Sequence, residues 1–363
     1  MNKSEIYITA MAPDAGSPDE ALKILTAKLR DELAMRGMSE ENLIMTRLFS
    51  SDPTRHAPVI SRDWPADLAS HTVLIGQPPL DSRYLSLQAW ALKGDIDKEI
   101  LGDGSLFLRH GAYQSLWSIE TPGRPGNSEQ QTDEILSRLG SRLWRHGMSL
   151  ESNVIRTWYY MRDVDNNYAG MIKSRVRHYE IHGLKPDTHF IASTGIEGQG
   201  ANPAALSWVQ SHAVSGVRAS QIVHLKALDN MSPTAIYGVN FERGTLVTYG
   251  DRKHVHISGT ASIDRHGDVL YKGDVKAQTR RALENIDALL REGGLDFNDL
   301  QSAIVYCRDG HDYAHINEIV REILPGDCAI NITKAPVCRP DWLVEIEGEA
   351  VREASNPEFG NYL

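Results

Sequence analysis

The chain has 363 residues, of which 41% are hydrophobic and 24% charged, a length for two or three compact units of ordinary globular composition. A formal net charge of −10 leaves no basic stripe for phosphate neutralisation and argues against a nucleic-acid partner. Met1–Ala12 has no basic stretch followed by an apolar core, and no apolar run nears the roughly 20 residues a bilayer requires, so a soluble, cytoplasmic protein without a membrane partner is expected.

Along the chain, apolar residues at helical spacing predict a helix over Ala21–Arg36, followed by strand-like Tyr84–Leu92. A second helix is predicted over Gln131–His146 and a strand over Val154–Met161. His254–Ser262 reads as a strand closed by the turn Asp264-Arg265-His266-Gly267-Asp268. A third helix follows over Gln278–Glu292, stopped by Gly293-Gly294, and Leu300–Cys307 resumes an extended pattern. The three cysteines, Cys307, Cys328 and Cys338, have no metal-ligand spacing and read as reduced thiols. His254, His256 and His266 flank one hairpin without metal geometry, so no metal and no cofactor are expected.

The grammar repeats at constant offsets. Subtracting 147 carries Gln278, Thr279, Leu283, Ile286, Leu290 and Gly294 onto Gln131, Thr132, Leu136, Leu139, Leu143 and Gly147. Subtracting 257 carries Ile286, Leu290, Gly294, Leu300, Asp309 and Pro336 onto Leu29, Leu33, Gly37, Leu43, Asp52 and Pro79. Such long periods fit one globular unit repeated about an axis. The same 257 offset sets Glu345 opposite Gln88 and Cys338 opposite Asp81, so the copies have diverged at the most distinctive stretch. There Cys338 stands seven residues before Glu345, and Trp342, Val344 and Ile346 alternate with Leu343, Glu345 and Glu347 as on a strand with two unlike faces. Glu345 thus points towards water or a lined cavity, with Glu347 on the same face.

Ile257-Ser258-Gly259-Thr260-Ala261-Ser262-Ile263, then Gly273-Asp274, Gln278-Thr279, Asn285-Ile286, Tyr306, Asp309 and Val344-Glu345-Ile346-Glu347, resemble the Rid family, the reactive-intermediate deaminases, over residues 235–355. Adding Arg156-Thr157-Trp158-Tyr159-Tyr160, Ser174-Arg175, Gly183-Leu184, Ala192-Ser193-Thr194-Gly195-Ile196, Phe241-Glu242-Arg243 and Cys338-Arg339, the chain is similar to the chorismatases, Rid-like enzymes acting on chorismate.

The resemblance implies an α+β fold of three Rid-like (chorismate-mutase-like) pseudo-repeats, each a sheet with helices on one face, so that one chain reproduces a trimer. The units are expected at 1–100, 104–228 and 234–355, with a tail at 356–363, the whole being a monomer or a homo-oligomer. It further implies cleavage of the enolpyruvyl ether of chorismate or a related small carboxylated substrate, giving pyruvate and a hydroxybenzoate or dihydroxycyclohexadienoate. By the same resemblance Glu345 is the catalytic acid, and Cys338 marks the branch that yields 3-hydroxybenzoate. Tyr160, Arg175, Tyr237, Arg243 and Gly259 would contact substrate, with Gly259 letting the ligand approach the backbone.

Two departures qualify this. Pro325-Gly326-Asp327-Cys328 carries an acid where Rid deaminases carry a carboxylate-clamping arginine, which disfavours ordinary imine deamination. Tyr237-Gly238-Val239-Asn240-Phe241-Glu242-Arg243 lacks the proline and one arginine of the chorismatase pattern. Another Rid-fold hydrolase, lyase or imine deaminase on a different small acid, or a non-catalytic ligand-binding protein, remains the alternative.

Overall fold

The computed structural model describes residues 4–68 and 70–363. The first unit runs β1 (Glu5–Met11), α1 (Pro18–Met35), β2 (Leu43–Ser50), α2 (Pro53–Asp63), β3 (His71–Ile75) and β4 (Leu85–Leu92). The second begins with a hairpin, β5 (Ile96–Ile100) and β6 (Leu106–His110). It continues with β7 (Tyr113–Glu120), α3 (Ser128–Arg145), the single turn α4 (Leu150–Asn153), β8 (Val154–Met161), α5 (Val164–Ile181), β9 (Ala192–Glu197) and β10 (Ser207–Ser215). The third adds β11 (Ile222–Leu225) and β12 (Gly244–Thr248) ahead of β13 (Arg252–Ala261), α6 (Val275–Glu292), β14 (Leu300–Cys307), α7 (Tyr313–Ile323), β15 (Ala329–Lys334) and β16 (Val344–Glu353).

Why three helices recur is visible in their ends. Ser17, Asn127 and Asp274 cap α1, α3 and α6 by accepting from the N–H groups of Glu20, Gln130 and Ala277, satisfying donors a helix start leaves open. At the other ends Gly37, Gly147 and Gly294 take φ of 66°, 69° and 74°. The N–H groups of Met38, Met148 and Leu295 then reach back to the carbonyls of Leu33, Leu143 and Leu290 at 2.9, 2.9 and 2.8 Å. Each helix is 18 residues long, and both caps stand at the 147 and 257 offsets read from the sequence. The helices start three residues before the expected points because the capping side chains, not the apolar stripe, decide where the first turn closes.

The sheets repeat the same order. β1-β4-β2-β3, β7-β10-β8-β9 and β13-β16-β14-β15 are equivalent, with the last pair of each parallel and the rest antiparallel. The fold is thus three Rid-like units in one chain, as expected. The seams close cyclically, β3 packing near β7, β9 on β13 and β15 on β1. The hairpin β5-β6 extends the second sheet and β11-β12 the third. Ile96–Ile100 therefore pairs with the second sheet although it was expected in the first unit, and Ile222–Leu225 pairs with the third although it was expected in the second.

Each sheet is covered on one face by its helices; Leu25, Leu29 and Leu33 of α1 meet Leu85, Leu87 and Ala89 of β4, each fully buried aliphatic side chain contributing about 1.5–3 kcal/mol. The opposite faces meet at the centre, where aromatic and polar side chains pack together. Trp117 stacks on His212 at 4.0 Å, Arg47 donates to Gln210 at 2.9 Å, and Glu5 holds Arg252 and His254 at 2.9 and 3.0 Å.

One alignment is corrected by the ladders. Tyr306 pairs with Glu345, and its first-unit equivalent Phe49 pairs with Ser86, not Gln88. Gln88 instead lies opposite Arg47, as Glu347 lies opposite Ile304. β16 starts at 344 and β4 at 85, an offset of 259, because the third unit has two more residues between β14 and β16. In the second unit the equivalent of Glu345 is Trp208, paired with Tyr160.

Candidate active site

The seam between the second and third units opens into a cavity of about 330 Å³, a size suited to a small ligand. α5 and β9 supply Tyr168, Ile172, Arg175, Ser193 and Gly195; the third unit supplies Phe241, Arg243, Gly259, Cys338, Trp342 and Glu345. The two equivalent positions are occupied differently. Ser86 donates to Asn331 at 2.7 Å, and Trp208 stacks on Tyr160 at 4.1 Å.

Glu345 enters the cavity because β16 alternates. Val344 and Ile346 pack into the apolar core and Glu345 and Glu347 take the other face. The carboxyl is 5% exposed, and burial first, then the negative charge of Glu347, push its pKa up to about 8 against the pull of Arg243 and Arg156. It is therefore a neutral acid at pH 7. Glu347 does not share the cavity: Arg156 donates to it at 2.8 Å, Trp158 at 2.7 Å and the Thr194 hydroxyl also donates to it, which binds that carboxylate into the core.

Gly259 lies where the β13–β16 register slips between Ile257 and Thr260. A Cβ there would stand 2.0 Å from Glu345 Oε1, so the missing side chain makes room for the acid itself, a different reason from close approach of a ligand.

Arg175 and Arg243 both line the cavity. Arg175 is 1% exposed, lies 5.3 and 5.9 Å from the Tyr159 and Tyr179 ring centroids, and has no hydrogen-bond partner for Nε or Nη2 among the described residues. A buried guanidinium with donors to spare favours an anionic ligand. Arg243 donates to the Ser232 carbonyl at 3.0 Å, and Arg339 rests 5.1 Å from the Trp342 ring centroid at the cavity wall. Cys338 is half-buried, its thiol pushed up to about 12 by burial and by Glu345, so it is protonated at neutral pH.

Tyr160 is a correction. It shares the inward face of β8 with Arg156 and Trp158, so it points to the centre and stacks on Trp208, while its neighbour Tyr159 faces Arg175. Tyr168 lines the cavity instead, together with Cys338. The signal for it was present: Tyr168, Ile172 and Arg175 are i, i+4 and i+7 on one helix and share a face. The Tyr237 side chain lies outside what the structure describes. Asp327 sits exposed on the loop before β15 and does not line the cavity.

Three sheets with this strand order, closed around a centre and carrying a cavity on one seam, define a Rid-type protein folded as a pseudo-trimer. Residues 246–352 match the family described as Endoribonuclease L-PSP. A RutC family protein of Pyrococcus abyssi is 35% identical over 103 residues, covering 27% of this chain and 79% of the relative. Its counterpart in Pyrococcus horikoshii is 38% identical over 101 residues, covering 27% and 78%. The chain belongs to the RutC family through its third unit. Over the full length, a crystal structure of a chorismatase matches with a TM-score of 0.69 and 17% identity, covering 95% of this chain and 98% of that one, which makes the three-unit architecture a shared fold.

Proposed function

We propose that this protein is a chorismatase-like enzyme that cleaves the enolpyruvyl ether of chorismate or a related small carboxylated substrate. The observation that carries the reading is Glu345, a carboxyl held neutral up to about pH 8 in a cavity that Arg175, a guanidinium with donors unpartnered among the described residues, also lines. Protonation of an enol ether at its methylene carbon needs an acid that still has its proton at working pH. Glu345 gives that proton, water captures the resulting oxocarbenium ion, and the hemiketal collapses to pyruvate and the ring alcohol. Arg175 and Arg243 hold the carboxylates, and their charge offsets the negative charge Glu345 acquires.

By the resemblance to the chorismatases, Cys338 at the cavity wall marks the aromatising outcome, in which the ring also loses its second hydroxyl and a ring hydrogen as water, so 3-hydroxybenzoate is the favoured ring product. Incubation of the purified protein with chorismate, following pyruvate by coupled lactate dehydrogenase and the ring product by chromatography, tests the reading. Release of pyruvate with 3-hydroxybenzoate supports it, and binding of chorismate without turnover would make the protein a ligand-binding member of the fold.

A further inference from the structure

The bulge at Ser258-Gly259 frees the Gly259 N–H from the β13–β16 ladder, and the neighbouring unit takes it up, while the Ser258 N–H goes to the Arg243 carbonyl within its own unit. Thr194 of β9 is 1% exposed, and its Oγ1 accepts from the Gly259 N–H at 2.9 Å. The same oxygen accepts from Arg156 Nη2 at 2.7 Å, while the Thr194 hydroxyl proton goes to Glu347. One residue earlier, the Ser193 N–H donates to Ser258 Oγ at 2.9 Å, and that hydroxyl donates to the Glu242 carbonyl at 2.6 Å. A single threonine hydroxyl thus ties together the backbone beneath the Glu345 carboxyl, the cation Arg156 and the like charge of Glu347.

We propose that Thr194 is a positioning residue for the acid, holding the Gly259 bulge clear of the Glu345 carboxyl and withdrawing charge from Glu347 across the seam. This rests on Glu345 being the acid of the proposed reaction. It explains why the acid and its support come from different units: Glu345 cannot occupy its place unless the second unit's β9 is docked, so an isolated third unit lacks an assembled site. Besides Glu347 and Arg156, the groups facing Glu345 are Arg243, Cys338, Tyr168 and Arg175.

Thr194→Val keeps the shape and deletes the hydroxyl, and Thr194→Ser restores it. In the full chain T194V should lower kcat by about tenfold or more with KM changed by less than about twofold, because the acid is misplaced and not the substrate. It should also move the titration of Glu345 upward, since the Glu347 charge is less neutralised; T194S should restore both. The titration is read in the free protein from the carboxyl band in infrared difference spectra, wild type against E345Q. A folded T194V with kcat and titration of the wild type, or a T194S as impaired as T194V, overturns the proposal. Should T194V fail to fold, T194A carries the same two measurements. If chorismate yields no pyruvate with any form, the functional reading fails while the infrared titration still decides whether Thr194 sets the state of Glu345.

Discussion

Glu345→Gln is the perturbation that separates the acid from everything around it. The wild-type carboxyl, with a pKa of about 8, is about nine-tenths protonated at pH 7 and about one-tenth at pH 9, so kcat/KM should be level near neutrality and fall roughly tenfold over that interval. Glutamine fills the same space beside Gly259 but has no proton to give. Pyruvate release should drop by about 10²-fold or more, and the alkaline limb should vanish. Stability should move the other way. The folded pKa lies above the ordinary value of 4.5, so the wild type is fully favoured below about pH 4.5 and loses stability as pH rises to about 8. E345Q escapes that loss and should be the more stable protein at pH 9, by up to about 5 kcal/mol on the scale of 1.36 kcal/mol per pKa unit. Initial rates of pyruvate formation from pH 6 to 9.5, with urea unfolding at pH 5 and 9, read both effects. An alkaline limb that persists in E345Q, or equal stabilities at pH 9, would falsify the assignment of a neutral buried acid.

Arg175→Met keeps the packing against Tyr159 and Tyr179 but removes the cation. KM for chorismate should rise by about 30-fold or more, the low end of the cost of truncating a buried charge contact, while the melting temperature does not fall, because Arg175 has no ion pair among the described residues to lose; an unchanged KM would remove it from the binding site. Cys338→Ala should preserve pyruvate release and shift the ring product from 3-hydroxybenzoate to the diol, as resolved by chromatography. Glu347→Gln leaves Arg156 uncompensated in the core and should cost about 3–5 kcal/mol in denaturant unfolding. In the folded fraction the loss of its charge should lower the pKa of Glu345 and bring the alkaline limb to lower pH; a limb that moves upward contradicts the electrostatic coupling.

With Glu345 singled out by the resemblance to the chorismatases, the sequence alone carried the helices, their repetition at 147 and 257 residues, and the alternation that turns Glu345 and Glu347 to one face. These are local regularities: capping residues, an apolar stripe and a period of two are written within a dozen positions. Tertiary structure decided what lies across each face. Periodicity shows that Tyr159 and Tyr160 point opposite ways but not which of them meets Arg175, and it cannot show that Tyr168 on the next helix lines one cavity with Cys338. It cannot show that Ser86, two positions from Gln88, stands where Glu345 stands, because a two-residue insertion keeps every side chain on its face while shifting its partner. Nor does the pattern reveal that Gly259 yields its space to the acid, a contact set by the register of β13 on β16, or that Thr194 supports it, a contact that joins strands from different units and exists only once the seam between them has closed.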